Sequence, residues 1–181
     1  KNLEFVIVEN NSTEQATFDY YERIQKEFDF VHVVTWEREF NYSAINNFGV
    51  TAASGEYLLF LNNDTELINP ESIEEMLGFC QRDDVGIAGA RLLYSDDTIQ
   101  HAGVVVGFGG IAGHTFIGLH RAESSYFNRA MCAQDYSAVT AACMMSKKSL
   151  FETVGGFSEE LAVAFNDIDY CMKIRALGKL M

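Results

Sequence analysis

Apolar residues in this chain come in short runs, each closed by a polar cluster. "FVIV" runs into "ENNST", and "EYLLFL" runs into "NNDTE". Runs this short, bounded by turn-forming residues, predict strands. Between them the period changes. Phe18, Tyr21, Ile24 and Phe28 recur at near-helical intervals and predict a helix over residues 13–27. "FVHVVTW" predicts a second strand. A helix over residues 43–53 follows, with Ile45, Phe48 and Ala52 facing inward and Gly55 ending it. Pro70 suits the first turn of a helix over residues 70–82, where the backbone dipole favours Glu71, Glu74 and Glu75, and "VGIAGARL" is the next strand.

Strand–helix units joined by short polar turns predict an α/β domain with a mostly parallel central sheet. Ligands of such sheets bind beyond the carboxyl ends of the strands, where both polar clusters stand. After residue 91 the rhythm changes. "TIQHAGVVVGFGGIAGHTFIG" predicts short β pieces in a glycine-rich run, and "HRAESSYFNRAMCAQDYS" a surface loop with one or two helical turns. "AVTAACMMS" predicts a core strand and "KKSLFETVGGF" a short helix stopped by Gly155 and Gly156. "NDIDYCMKIRALG" predicts a helix beginning at Asn166 or Asp167, with Tyr170, Ile174 and Leu177 on one side.

At 181 residues with 48% hydrophobic content the chain suits one domain. A net charge of −13 argues against a broad grip on nucleic acid. No apolar stretch reaches the roughly 20 residues needed to cross a bilayer, so no transmembrane segment is expected. Cys80, Cys132, Cys143 and Cys171 lack CxxC spacing and read as buried thiols, and His101, His114 and His120 show no zinc spacing. The chain opens directly on its first strand and closes on a helical pattern, so we expect a piece of a longer chain, incomplete at both ends.

Asn62, Asn63, Asp64 and Glu66 are oxygen donors suited to a hard divalent ion, or to a turn leading into a helix. Asp167 and Asp169 stand at a predicted helix start, where one carboxylate can cap and the other can face a cleft as a base. Glu9 offers an acceptor for sugar hydroxyls or a base N–H, with Asn10 and Asn11 beside it. The phosphate loops GxGxxG and GxxxxGK[ST] and the GxSxG elbow are absent from their diagnostic positions.

With these segments in view, the chain resembles the inverting nucleotide-sugar glycosyltransferases of family 2, which have the GT-A fold, over nearly its whole length. "FVIVENNST" resembles the family's second strand, with Glu9 where an aspartate contacts the nucleotide. "NYSAINNFGVTAASGEYLLFLNNDTE" resembles the next block, matching Asn47 and Gly49 to an Asn-x-Gly element and "LNNDTE" to the metal-binding Asp-x-Asp, with Asn62 at its first position and Asp64 at its last. "VTAACMMSKKSLFETVGGFSEELAVAFNDIDYCMKIRALG" is similar to bacterial surface-polysaccharide and rhamnosyltransferase-like members; Asp167 matches the catalytic aspartate, and Asn166 replaces the acid before it.

The resemblance implies a donor-nucleotide half over residues 1–91, with Glu9, Asn11, Asn47, Asn62 and Asn63 contacting donor and Asp64 holding Mn2+ or Mg2+. It implies an acceptor-side and catalytic half over residues 92–181, with Asp167 as base and Asp169 orienting it. The substrates would be a nucleotide-diphosphate sugar and a glycan or lipid-linked glycan, in the cytoplasm and peripheral to the inner face of the membrane. The family's first strand would precede Lys1, and a sheet edge left open there favours a homodimer. The rival readings are a nucleotide-sugar-binding protein without transfer chemistry and, for want of a basic glycine-rich loop, less so a sugar-phosphate nucleotidyltransferase.

Overall fold

The computed structural model describes residues 3–181. Strand β1 (Phe5–Glu9) is followed by helix α1 (Gln15–Glu27), β2 (Val31–Thr35), α2 (Tyr42–Ala52), β3 (Tyr57–Leu61), α3 (Ser72–Cys80) and β4 (Ile87–Gly89). The second half carries the short strands β5 (Leu92–Leu93), β6 (Ile99–His101), β7 (Val104–Val106) and β8 (Ala112–His114). It then carries a 3-10 turn (Tyr126–Met131), β9 (Cys143–Lys147), α4 (Lys148–Thr153) and α5 (Asn166–Ala176). Each element expected from periodicity is present, but "VGIAGARL" breaks at Ala90–Arg91 into β4 and β5.

The α/β class holds, whereas the expectation of a mostly parallel sheet is corrected. β1 and β2 pair in parallel, with Phe5 opposite Val31 and Glu9 opposite Thr35. The central sheet has the order β3-β9-β4, and β9 runs antiparallel to both neighbours. β3 and β4 are joined through α3 and point the same way, one strand apart. β9 reaches the space between them from a long loop rather than a crossover helix, so it starts beside the end of β3, with Cys143 opposite Leu61. Residues 1–91 and 92–181 therefore share one sheet.

Three further expectations change. On α2 the buried positions are Ser43, Ala44, Gly49 and Val50 rather than Ile45, Phe48 and Ala52. The helix lies against β1, where a Cβ on Gly49 would come within 2.8 Å of Val8 Cγ2, and against the loop before α5, where Ser43 Oγ donates to Leu161 O at 2.8 Å. Only a small-residue face fits both. Cys132 is exposed, unlike the other three thiols, and Leu177 lies past the end of α5 with nearly half its surface exposed.

The main core gathers Phe60, Phe151, Phe157 and Tyr170. Ring centroids lie 5.0 Å apart for Phe60–Phe157 and for Phe157–Tyr170, at angles of 71° and 53°. Tyr170 also places its hydroxyl 2.7 Å from Ser146 Oγ on β9, both groups fully enclosed. This bond locks α5 to the central strand. Tyr170→Phe should leave Ser146 without its partner and destabilise the protein by about 1–3 kcal/mol. The expected readout is a lower urea midpoint at unchanged m-value.

Candidate active site

The carboxyl end of β3 and the start of β9 meet at residues 140–142. Three consecutive backbone positions there each hold a different candidate group. Thr140 N–H points to His101 Nε2 at 3.5 Å, Ala141 N–H donates to Asp167 Oδ2 at 3.3 Å, and Ala142 O accepts from Asn62 N at 3.0 Å. Ala141 O also accepts from the Tyr42 hydroxyl at 3.2 Å. Burial pushes that phenol up to about 12, and the neighbouring Asp167 charge adds to the rise. Tyr42 is therefore a neutral donor beside the carboxylate.

Asp167 is half-buried and is the second residue of α5, not its cap. Phe165 holds the cap position with φ 63°, a left-handed conformation that costs a non-glycine residue about 1–3 kcal/mol. Asp167 Oδ1 accepts from Ile168 N at 2.8 Å, so each carboxylate oxygen has one backbone donor and keeps a free lone pair. Asn166, next to it, donates to Leu161 O at 3.2 Å and accepts from Asp167 N at 2.8 Å. The amide in the position of an acid thus braces the turn.

Asp169 faces the other way. It pairs with Lys173 Nζ at 2.8 Å and accepts from Ser158 Oγ at 2.7 Å. Partial burial raises its carboxyl pKa, but Lys173 and Ser158 together hold it below the ordinary range. Its bonds tie α5 to the "GGFS" loop. Asn47 grips the same loop: its Nδ2 donates to Phe157 O at 2.9 Å and Glu159 Oε1 at 3.1 Å, and its Oδ1 accepts from Phe157 N at 3.0 Å. Both amide hydrogens are spent on this loop, and Asn47 clamps it.

At the end of β1, Glu9 is buried and accepts from Ser12 N at 2.6 Å and Ser12 Oγ at 2.8 Å. Burial pushes its carboxyl up, yet the bonds from Ser12 and Tyr21 outweigh it and the pKa lies below the usual value. Glu9 therefore shapes the loop in which Asn11 holds φ 60°. Asn10 Nδ2 donates to Trp36 O and Arg38 O at 2.9 and 3.0 Å, and Asn11 Nδ2 to Arg38 O at 3.4 Å. The loops after β1 and β2 are laced into one rim.

Beyond β3, Asn63 and Asp64 are exposed, and Thr65 Oγ1 bonds back to Asn62 O at 2.7 Å. Among the described residues, no three His, Cys, Asp or Glu side chains converge on a metal position. The turn offers one carboxylate and two neighbouring amides, an all-oxygen, open donor set. Such a set fits an ion that completes its shell with diphosphate and water.

His101 and His114 were legible only as histidines without zinc spacing. In the structure their Nδ1 atoms lie 2.8 Å apart. The signal was a histidine on either side of a glycine-rich run, whose ends meet only once it is folded.

The fold is shared with two solved glycosyltransferases. One is the mannosyltransferase PcManGT from Pyrobaculum calidifontis in complex with GDP-Man and Mn2+, with a TM-score of 0.69 at 16% identity over 98% of this chain and 44% of that one. The other is GalNAc-T7 with UDP, GalNAc and Mn2+, with a TM-score of 0.70 at 13% identity over 98% and 35%. Residues 1–154 match the model for glycosyl transferase family 2, and the chain belongs to that family. It is 46% identical to the uncharacterized protein y4gI of Sinorhizobium fredii and 39% identical to the O-antigen biosynthesis protein RfbC of Myxococcus xanthus, in each case over 98% of its own length. It spans 20% and 14% of those proteins. The family match ends before α5, while both relatives extend through it. No described helix is long and apolar enough to cross a membrane.

The buried His101 gives the site an acid-sensitive element. Burial pushes its imidazole down to about 3, with His114 adding to the shift. The folded state keeps it neutral while the unfolded chain protonates below about 6.5. Stability therefore falls as pH drops through that window, by about 1.4 kcal/mol per pH unit for one proton. Between about pH 6 and 5, above the range where the lowered carboxylates contribute, unfolding free energies from urea titrations should decline toward that slope. His101→Gln should flatten it.

Proposed function

We propose that this chain carries the catalytic centre of an enzyme that moves a sugar from a nucleotide diphosphate to a hydroxyl of a glycan or lipid-linked glycan, inverting the anomeric carbon. The observation that carries the reading is that Asp167 and Asn62, where the 62–64 turn begins, are held by consecutive residues of one segment. Family membership, the nucleotide-sugar and Mn2+ complexes of the two similar structures, and the O-antigen relative support the substrate class.

Asp167 takes the proton of the acceptor hydroxyl on a free lone pair while the acceptor oxygen bonds to the anomeric carbon. The bond from that carbon to the diphosphate breaks on the opposite face, and the nucleoside diphosphate leaves with its electrons. Ala141 N–H and Ile168 N–H fix the carboxylate, so it needs little reorganisation to act. Asp64, with the amide oxygens of Asn62 and Asn63, would hold Mn2+ or Mg2+. When bound, that ion supplies positive charge to the diphosphate oxygens. Glu9 and Asn11 form the nucleotide end through the loop they shape. Asp169 and Asn47 hold α5 and its preceding loop in place. Residues 1–91 thus serve the donor and residues 92–181 the acceptor, and the enzyme works in the cytoplasm at the inner membrane face.

In the full-length protein, Asp167→Asn should keep donor binding and thermal stability and cut turnover by roughly 100-fold or more, the scale of positioned base catalysis. Near-normal turnover would reassign the base. Donor retained by both proteins without transfer by the native one would favour a binding protein. By calorimetry, nucleotide-sugar affinity should rise with Mn2+ or Mg2+, and Asp64→Asn should lose that gain. Equal affinity in chelator and in metal would remove Asp64 from this role.

A further inference from the structure

The histidine pair is the polar cluster that the transfer chemistry leaves unused. His101 is buried and His114 exposed, with rings edge to face at 83°. Their hydrogen bonds determine where the protons sit. His101 Nε2 faces the Thr140 N–H at 3.5 Å, so that nitrogen accepts and the His101 proton is on Nδ1. That proton is donated across 2.8 Å to His114 Nδ1. His114 then carries its own proton on Nε2, at its outer edge. The opposite arrangement would set a buried His101 N–H against the N–H of Thr140 and leave it unpaired.

The pair and the proposed base are held by neighbouring backbone residues. Thr140 is adjacent to Ala141, whose N–H holds Asp167, and β7 beside His114 is bridged to Ala138. The 62–64 turn meets the same segment through Ala142. An exposed imidazole N–H donor with no other side-chain hydrogen bond among the described residues suits a sugar oxygen, which accepts a single hydrogen bond. We propose that His114 contacts the acceptor, donating its Nε2–H to a hydroxyl or ring oxygen of the acceptor sugar, and that His101 is the positioning residue that fixes its tautomer. This rests on the glycosyl-transfer reading above.

The test uses the full-length protein, the UDP-, GDP- or dTDP-linked sugar that it turns over, and methyl α- and β-glycopyranosides as surrogate acceptors. Donor hydrolysis reports attack by water, and glycoside formation reports an occupied acceptor site. His114→Ala should lower the ratio of transfer to hydrolysis roughly tenfold or more, the loss expected for one substrate hydrogen bond. His101→Gln can accept from Thr140 and donate to His114, and should keep most of the ratio. His101→Leu, checked for folding by its thermal transition, should share the His114→Ala loss. Nitrogen-15 spectra of the imidazoles should show His101 protonated on Nδ1 and His114 on Nε2, with the His114 signals moving when glycosides are added. An unchanged ratio in His114→Ala, tautomers in fast exchange, or His114 signals unmoved by glycosides would overturn the assignment. A native protein that consumes no donor would remove the transfer reading itself, and the acceptor contact with it.

Discussion

The Asp167 end of the candidate site depends on the path of residues 139–142. The groups that hold His101, Asp167, Asn62 and Tyr42 there belong to the main chain, so their placement follows from where the backbone runs. That route is fixed by close packing. A Cβ on Gly89 would lie 2.6 Å from Val139 Cβ, so glycine on β4 admits the segment, and β9 then zips between β3 and β4. The site is a consequence of sheet assembly: its donors align only when the antiparallel strand is seated.

Asp167 is held from two directions. Its carboxylate meets the segment before β9, while its helix is bolted to β9 itself through Tyr170 and Ser146. The loop leading into α5 is gripped independently. Gly156 turns at φ 70° where a Cβ would strike Asn47 Oδ1 at 2.7 Å, and Asn47 closes both hydrogen bonds on Phe157. Asp169, Lys173 and Ser158 complete the fastening. The strained Phe165 persists because its surroundings over-determine it.

Local pattern made the elements legible. The helical period of Ile24, the apolar run of "YLLFL" and the glycines after α4 each act within a few residues, and the structure has those elements. Direction and partnership lie outside such windows. Nothing in "AVTAACMMS" states that its strand runs against its neighbours, because that depends on a loop arriving from the far end of β3. The inward face of α2 departs from the hydrophobic pattern for the same reason: Gly49 and Ser43 are selected by β1 and the 156–162 loop, not by hydrophobicity. The acidic groups were visible as candidates, while the His101–His114 contact joins residues whose adjacency exists only in the folded hairpin.

The carboxylates divide by what they already hold. Glu9 and Asp169 are committed to internal donors, and both have pKa values below the ordinary range because those bonds outweigh burial. Protonating either would loosen a loop, so their charge serves architecture. Asp64 stands exposed on an open turn, and Asp167 meets only two backbone donors with a lone pair left on each oxygen. A charge that must attract an ion or receive a proton has to remain incompletely satisfied by its own protein. By that criterion the four candidate carboxylates resolve into two structural and two available ones, and the available pair belong to elements that meet at residues 141–142.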